Sequence, residues 1–455
     1  MNPGAGRLDL DALLDARATR IVVCCGSGGV GKTTTAAAFA LRAAERGRRV
    51  VVLTIDPARR LAQSLGLDEL DNTPREVEGI NHGAGGRLDA MMLDMKRTFD
   101  EIVVEHADGA RAKQILDNPF YQSLSASFAG TQEYMAMEKL GQLRAQHDWD
   151  LIVVDTPPSR SALDFLDAPK RLGSFLDGKL IRLLTAPAKL GGRAGMKFLN
   201  VGMSMMTGTL GKLLGGQLLK DIQTFISAMD TTFGGFRTRA DATYKLLQAP
   251  GTAFLVVAAP ERDALREAAY FVERLAAEEM PLAGLVLNRV HGSGAARLSA
   301  ERALAAAENL EEPRIVDQVG GKAGLRNSPD TYGSSESPAS SPATEAAVRA
   351  AAPDEGSPAD TDQERSAATD DTDDQPTDDE RSVDQLTAGL LKLHAERMRL
   401  LSREQRTRDR FTARHPEVAV AEVAALPGDV HDLAGLRDIG NRLAAGRPEL
   451  PETKV

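Results

Sequence analysis

Short runs of β-branched apolar residues alternate along this chain with longer stretches in which apolar residues recur at helical spacing. Such runs, bounded by Gly, Pro or Asp, are typical of strands that are buried on both faces of a sheet. Strands that alternate with helices predict βαβ units, and hence an α/β fold whose mostly parallel sheet is flanked by helices. The clearest predicted strands are Arg20–Cys25, Arg49–Asp56, Leu151–Thr156, Ala253–Ala258 and Ala283–Asn288, and the clearest predicted helices are Thr33–Arg46 and Arg262–Glu278.

Two stretches break this pattern. Residues 186–245 are rich in Met, Leu and Gly and predict a helical subdomain. Residues 326–385 are rich in Ser, Pro, Thr, Ala and Asp, and they predict a disordered acidic insertion because they bury too little apolar surface to offset the entropy of ordering. Helical character returns at Val383–Thr412, before a last strand at Glu417–Val423 and a helix near Leu433–Leu443. The predicted organisation is a leader at 1–19, one α/β domain formed by 20–325 and 386–445, and a tail at 446–455.

Charge and cysteine usage narrow the functional classes. The net charge of −10 over 455 residues argues against nonspecific binding of nucleic acid, which depends on neutralising phosphates. The two cysteines, Cys24 and Cys25, are adjacent in a predicted strand, which excludes a disulfide framework and a CxxC zinc pair. The sequence shows neither a secretory signal nor an apolar run long enough to cross a membrane. We therefore expect a cytoplasmic protein, with peripheral association at the membrane as an alternative.

The sharpest motif follows the first predicted strand and precedes an Ala-rich predicted helix. It reads GSGGVGKT and matches the pattern GxxxxGK[ST], in which backbone amides curl around phosphate oxygens. Lys32 is predicted to contact the β and γ phosphates, and the Thr33 hydroxyl to ligate Mg²⁺. A chance glycine-rich turn is the alternative, which the flanking strand and helix disfavour. The residues of this motif are Gly26, Ser27, Gly28, Gly29, Val30, Gly31, Lys32 and Thr33.

Two acidic residues end predicted strands, at the edge where open α/β sheets bind their ligands. Asp155 ends the run Leu151–Val154 and is predicted to hold the magnesium shell. Asp56 ends the second predicted strand and could orient or deprotonate an attacking water. Each residue could instead cap the following helix, which for Asp56 would begin near Pro57.

These motifs together resemble the ArsA family, which comprises the arsenite-pump ATPases and the ATPases that target tail-anchored membrane proteins. The resemblance rests on GGVGKTT, on Asp-Pro-Ala after the second strand and on Asp-Thr-Pro-Pro after a later strand, and it covers about 20–325 and 385–445. It implies a P-loop NTPase fold with a deviant Walker A motif, and hydrolysis of ATP with Mg²⁺. It also implies dimers in which the two nucleotides lie near the interface.

The same resemblance implies roles for single residues. Thr34 would join the phosphate-binding loop, Asp56 would orient the attacking water in switch I, and Asp155 would begin switch II and act on magnesium through water. Asn288 would contact adenine, and the backbone near Pro427 would close over the base. No guanine-specific [NT]KxD follows the strand that ends at Asn288, which favours ATP over GTP.

One residue of the loop departs from the family pattern. Ser27 stands where the family usually carries a lysine that reaches the nucleotide of the opposite subunit. A serine hydroxyl has no charge with which to replace that lysine, and losing such a cation can cost several orders of magnitude in rate. The sequence therefore predicts either a slow homodimer or a heterodimer with a lysine-bearing paralogue. Arg59, Arg60 and Arg160 could replace part of the charge, or could simply face solvent.

Three functions remain open at this point. The first is an ATPase that couples dimer closure to an anion-transport or other membrane-protein partner. The second is a targeting chaperone that binds hydrophobic segments through residues 186–245, for which a pair of core helices is an equally good interpretation. The third is a slow regulatory subunit of a paralogue. Arsenite itself is disfavoured as a ligand, because its activation in the family needs clustered cysteines near the dimer interface.

Overall fold

The computed structural model describes residues 6–56, 59–119, 121–122, 132–157, 238–311, 378–426 and 428–445. Eight strands lie in this part of the chain and form one sheet. They are β1 (Ile21–Gly26), β2 (Arg49–Thr54), β3 (Arg75–Glu76), β4 (Arg87–Met92), β5 (Leu151–Asp155), β6 (Thr252–Ala258), β7 (Leu282–Val290) and β8 (Val420–Ala424). Their order is β3-β4-β2-β5-β1-β6-β7-β8, and all neighbours are parallel except β3 and β4.

Helices cover both faces of the sheet. The helices of the described residues, in chain order, are α1 (Leu10–Asp15), α2 (Lys32–Glu45), α3 (Arg60–Ser64), α4 (Met95–His106), α5 (Gly109–Leu116), α6 (Gln132–Gln146), α7 (Arg262–Ala277), α8 (Ala300–Glu311), α9 (Asp378–Arg414) and α10 (Leu433–Ala445), with a 3₁₀ turn at His82–Ala84 and a further helical stretch at 238–248. Among the described helices, none combines the length and the apolar character that a membrane span requires. The predicted α/β fold with a mostly parallel sheet is confirmed.

The central strand β1 shows why its sequence is apolar throughout. All six of its residues are buried, and alternate side chains enter two different hydrophobic cores. Val23 and Cys25 pack on one face of the sheet, whereas Val22 and Cys24 pack on the other. A strand covered on both faces has no polar side, so that the period-two alternation of a half-exposed strand is absent.

The chain divides into two compact units, one of residues 1–300 with 396–455 and one of residues 301–395. The sheet belongs to the first unit. The predicted leader also belongs to this unit, because Leu8, Leu10 and Leu14 are buried in its core and Arg7 bridges to Val420 of β8. The N-terminal residues from Arg7 onward are thus part of the fold.

The predicted disordered insertion needs one correction. Helix α9 begins at Asp378, so that the last eight residues of the stretch 326–385 are helical. The sequence of its first turn begins Asp-Asp-Glu, and acidic residues are common in the first turn of helices. Acidic composition alone therefore failed to separate the start of a helix from a solvated segment. Residues 312–377 lie outside the described residues, as does the predicted helical subdomain up to residue 237.

Substituting Gly26 by alanine is expected to destabilise the fold by about 2–3 kcal/mol, the upper end of what overpacking costs. Gly26 ends β1 beside Val257 of β6, and a Cβ at this position would lie 2.1 Å from the Val257 carbonyl oxygen. Gly294→Ala is the matched control, since a Cβ there meets no heavy atom within 4 Å. Urea unfolding of the two variants measures the difference, and equal free energies of unfolding would contradict the prediction.

Candidate active site

The loop between β1 and α2 is shaped by glycines with positive φ. Gly29 has a φ of 75° and Gly31, which caps α2, a φ of 90°. Such angles are unfavourable for residues with a Cβ, which explains why glycine stands at these two positions. Glycine also has no side chain with which to cap the helix, so that the amides of its first turn are left for an anionic ligand. The loop thus has the backbone of a phosphate-binding site.

Lys32 folds back over this loop. Its side chain is buried, and Nζ donates a hydrogen bond to the Ser27 carbonyl oxygen over 2.7 Å. Burial lowers the pKa of Lys32, while the negative charges of Asp155 and Asp56 oppose that shift. Two of the predicted carboxylates therefore act electrostatically on the predicted phosphate-binding lysine.

Asp155 lies at the centre of the site. Its strand β5 pairs with both β1 and β2, and this places Asp155 beside Cys24 on one side and Thr54 on the other. The carboxylate is fully buried, and Oδ2 accepts a hydrogen bond from the Thr54 hydroxyl over 3.0 Å. Burial has the larger effect on the pKa of Asp155 and raises it, but the Thr33 side chain lies near enough to lower it. The structure thus brings Thr33, Lys32 and Asp155 together, as the sequence predicted.

The second oxygen of this carboxylate fits a magnesium shell. Among the described residues, Oδ1 of Asp155 is buried and accepts no hydrogen bond. Burying an ionised oxygen without a partner is costly, and a metal-bound water is a donor that would satisfy it. Burial raises the pKa of Asp155 to about 6, because the ionised carboxylate loses more hydration on burial than the neutral acid does. Thr33 and Asp155 are therefore the residues that would hold Mg²⁺.

Asp56 follows β2 and is tied to Asp155 through the backbone and through Thr54. The Ile55 amide donates to the Asp155 carbonyl oxygen over 2.9 Å, and the Asp56 amide donates to Thr54 Oγ1 over 3.2 Å. The Thr54 hydroxyl thus contacts both acidic residues. Asp56 is not the N-cap residue of α3, because Arg59 occupies that position, and the Arg59 side chain makes no capping hydrogen bond. For Asp155 the helix-cap alternative falls on residues after 157, outside the described part of the chain.

Sequence reasoning missed the part played by Thr54. The available signal was a single polar residue at the end of a strand whose other buried residues are all apolar, since a buried hydroxyl needs a hydrogen-bond partner. It also missed what Asn288 does: its Nδ2 donates to the Val30 carbonyl oxygen over 2.9 Å and so braces the loop from β7. The predicted contact of Asn288 with adenine stays a prediction, and Pro427 lies outside the described residues.

Comparison with known proteins shows the family of this chain. The sequence pattern of the anion-transporting ATPase family matches residues 19–311, which is more than half of the chain and contains β1 to β7 with the whole phosphate-binding loop. The chain belongs to this family. It is a P-loop ATPase, and the ArsA-type resemblance drawn from its motifs is confirmed.

Relatives of this ATPase agree with that placement. It is 25% identical over 330 residues to ATPase GET3 of Podospora anserina, an alignment that covers 69% of this chain and 90% of the relative. It is 27% identical over 292 residues to ATPase ARSA2 of Chlamydomonas reinhardtii, covering 62% of this chain and 70% of the relative. A shorter match of 30% identity over 169 residues links it to ATPase GET3 of Malassezia globosa, covering 37% and 47% respectively.

The buried carboxyl group of this ATPase predicts an unusual pH dependence of stability. Because the folded pKa of Asp155, about 6, lies above the usual 3.8, the folded state holds this proton more tightly than the unfolded state does. Its contribution to stability is therefore present below pH 4 and is lost as pH rises towards 6. We expect Asp155→Asn to remove this loss, making the nucleotide-free variant more stable than wild type at pH 7.5 by about 2–3 kcal/mol.

Urea unfolding without magnesium at pH 4.5 and 7.5 measures this effect. Asp150, which directly precedes β5, is the matched control, because its pKa is shifted in the opposite direction. Although burial opposes it, hydrogen bonds from Arg49 lower the pKa of Asp150, so that Asp150→Asn should cost stability at pH 7.5. A wild-type protein whose stability does not fall relative to Asp155→Asn between the two pH values would contradict the assignment.

Proposed function

We propose that this ATPase hydrolyses ATP with Mg²⁺, and that closure of a dimer on the nucleotide couples hydrolysis to a membrane-protein partner or a hydrophobic client. One observation carries the catalytic part of the proposal. The adjacent strands β1, β5 and β2 end at the same edge of the sheet, and they bring Lys32, Asp155 and Asp56 to one place. Open α/β sheets bind ligands at this edge.

Each residue then has a distinct task. The loop amides and Lys32 would bind the phosphates, and Thr33 and Asp155 would hold the metal ion, which would neutralise charge on the phosphate oxygens. Asp56 orients the attacking water as a hydrogen-bond acceptor, and Thr54 holds the Asp56 segment against Asp155. Catalysis in this class comes from positioning and charge stabilisation, so that the burial of Asp155 and its hydrogen bond from Thr54 support the proposal.

Titration calorimetry with ATP and GTP, with and without magnesium, tests the binding step. We expect magnesium-dependent binding of ATP at least tenfold tighter than that of GTP, and phosphate release that stops when EDTA is added. Magnesium-independent release of phosphate, or equal affinity for both nucleotides, would overturn the proposal. ADP and a non-hydrolysable ATP analogue separate binding from turnover.

The choice of a membrane protein or hydrophobic client over arsenite rests on the cysteines. The chain has two, and both are fully buried in β1, where burial raises their pKa values. Arsenic(III) binds thiolates, which these residues cannot supply at the surface. We expect ATP turnover to be unchanged by arsenite, and a fluorescent apolar helical peptide to bind in a nucleotide-dependent way, with a polar peptide of equal length as control.

Ser27 favours a second candidate, a slow subunit that needs a paralogue. Its side chain is buried, and within the described residues its hydroxyl has no hydrogen-bond partner. If closure brings two copies together, Ser27→Lys should raise turnover by roughly tenfold or more, because a cation stabilises the developing charge. Ser27→Met has similar bulk without charge and should give no gain. Rapid wild-type turnover that Ser27→Lys leaves unchanged would argue against this candidate.

A further inference from the structure

The first part of helix α9 carries four large apolar side chains on its surface. Val383, Leu386, Leu390 and Leu393 are 59–68% exposed, whereas most aliphatic side chains of this fold are buried. Their spacings of three, four and three residues are those of the a and d positions of two heptads. Isolated exposed leucines are ordinary, but four in one line along a helix form an apolar surface. We call these four residues the α9 stripe.

The opposite side of the same helix is buried and makes hydrogen bonds to α8. Ala388 and Ala395 are fully buried, and Lys392 between them donates hydrogen bonds of 2.6 and 2.8 Å to the Glu311 carboxylate of α8. At 100° per residue these three positions lie roughly opposite the α9 stripe. The compact unit of residues 301–395 therefore presents the stripe outward from a helix that is fixed on its inner side.

We propose that the α9 stripe is a seam through which a second copy of this chain pairs, with the two helices antiparallel. In an antiparallel pair, an a residue of one helix lies opposite a d residue of the other. A two-fold axis that passes between the helices at the level of Ala388 places each of the four side chains opposite a stripe residue of the other copy. Val383 then meets the partner's Leu393, and Leu386 meets the partner's Leu390. The stripe is thus complementary to itself, as a two-fold interface requires.

Charge along α9 selects this orientation. Acidic residues dominate 378–384 and basic residues dominate 392–403. In an antiparallel pair the acidic segment of each copy lies along the basic segment of the other. In a parallel pair, like charges would face each other and disfavour association. The acidic start of the helix also argues against docking on an anionic membrane surface.

The seam is short, so that its contribution is limited. Two heptads are too few for a stable isolated coiled coil, and we expect the stripe to strengthen association of the full chain rather than to form a tight dimer alone. It lies in the second compact unit, whereas the nucleotide-site residues lie in the first. Pairing through the stripe therefore needs no nucleotide, and it does not rest on the proposed closure over ATP.

Sedimentation equilibrium of the nucleotide-free full chain tests the seam. We expect wild type to self-associate, and Leu386→Glu/Leu390→Glu to weaken association at least tenfold without changing its thermal unfolding, because both side chains are exposed. Gln385→Glu/Ala413→Glu adds the same charge at exposed positions of α9 outside the stripe and should change association less than twofold. A monomeric wild type, or equal effects of the two variants, would overturn the proposal. Loss of binding to anionic vesicles or to an apolar peptide, with self-association unchanged, would also overturn it.

Disulfide formation between single-cysteine variants tests the orientation. Val383→Cys and Leu393→Cys, distinguished by a mass tag, are mixed; the native cysteines are buried and do not compete. An antiparallel seam gives the mixed disulfide, because residues 383 and 393 of the two copies are adjacent while two copies of residue 383 are about 15 Å apart along the axis. Predominantly like-with-like disulfides, or none, would contradict the antiparallel seam.

Discussion

Replacing Lys32 with alanine is expected to weaken ATP binding at least about a hundredfold, or roughly 2.7 kcal/mol, and to reduce hydrolysis below detection. Lys32 is the buried cation of the loop, within electrostatic reach of Asp155 and Asp56. Without it, the phosphates would enter a site lined by two carboxylates after losing the buried cation that offsets their repulsion. Titration calorimetry gives the affinity, and phosphate release gives the rate.

Lys139 offers a matched control for the loss of a buried lysine. It lies on α6, is equally buried, and donates a 2.8 Å hydrogen bond to Glu101. Lys139→Ala should lower the free energy of unfolding, because it leaves Glu101 without this bond, but the folded fraction should still bind ATP with wild-type affinity. Comparable loss of ATP affinity in both variants would show that Lys32 acts only through the fold.

Substituting Asp56 by asparagine is expected to lower kcat about a thousandfold while the affinity for ATP changes less than about threefold. The asparagine has nearly the same shape, and the backbone bonds of Ile55 and Asp56 that hold this segment on β5 and Thr54 are unaffected. What is lost is the negative charge that would accept a hydrogen bond from the attacking water. The variant should therefore trap the unhydrolysed complex.

Single-turnover hydrolysis with bound ATP separates this effect from binding. Asp108→Asn is the control, since Asp108 caps α5 and asparagine caps a helix equally well. Its kcat should equal that of wild type. A kcat for Asp56→Asn within tenfold of wild type would remove Asp56 from catalysis and leave water orientation to another group.

The sequence predicted those parts of the fold that depend on local chemistry. Five buried strands stand out because Val, Ile and Leu fill both faces of each, and the loop stands out because its glycines and lysine have fixed spacing. Strand β4 escaped prediction because its sequence, RLDAMM, contains no β-branched residue. Its Asp89 is typical of a loop in sequence, but in the structure it is buried because Arg87 and Trp149 donate hydrogen bonds to its carboxylate.

The sequence predicted the individual motifs of the site, but not the strand order and the hydrogen bonds that bring them together. Residues 32, 33, 56 and 155 could be assigned separately, because each follows or ends a recognisable strand. That β5 inserts between β1 and β2, and so places Asp155 beside Thr54, is a matter of strand order, which no local pattern encodes. The hydrogen bond from Asn288 to the loop likewise joins residues far apart in the chain.

The position of the two thiols has a consequence for the conditions under which this protein can work. Cys24 and Cys25 lie on the central strand β1 with their side chains fully buried, and burial raises their pKa values so that both thiols stay protonated. Oxidants and alkylating reagents react with exposed thiolates, so that neither has a cysteine target on the folded chain. Its cysteines therefore give this ATPase no means of sensing oxidative stress, and its nucleotide cycle should be unchanged when thiol-oxidising or alkylating reagents are added to the folded protein.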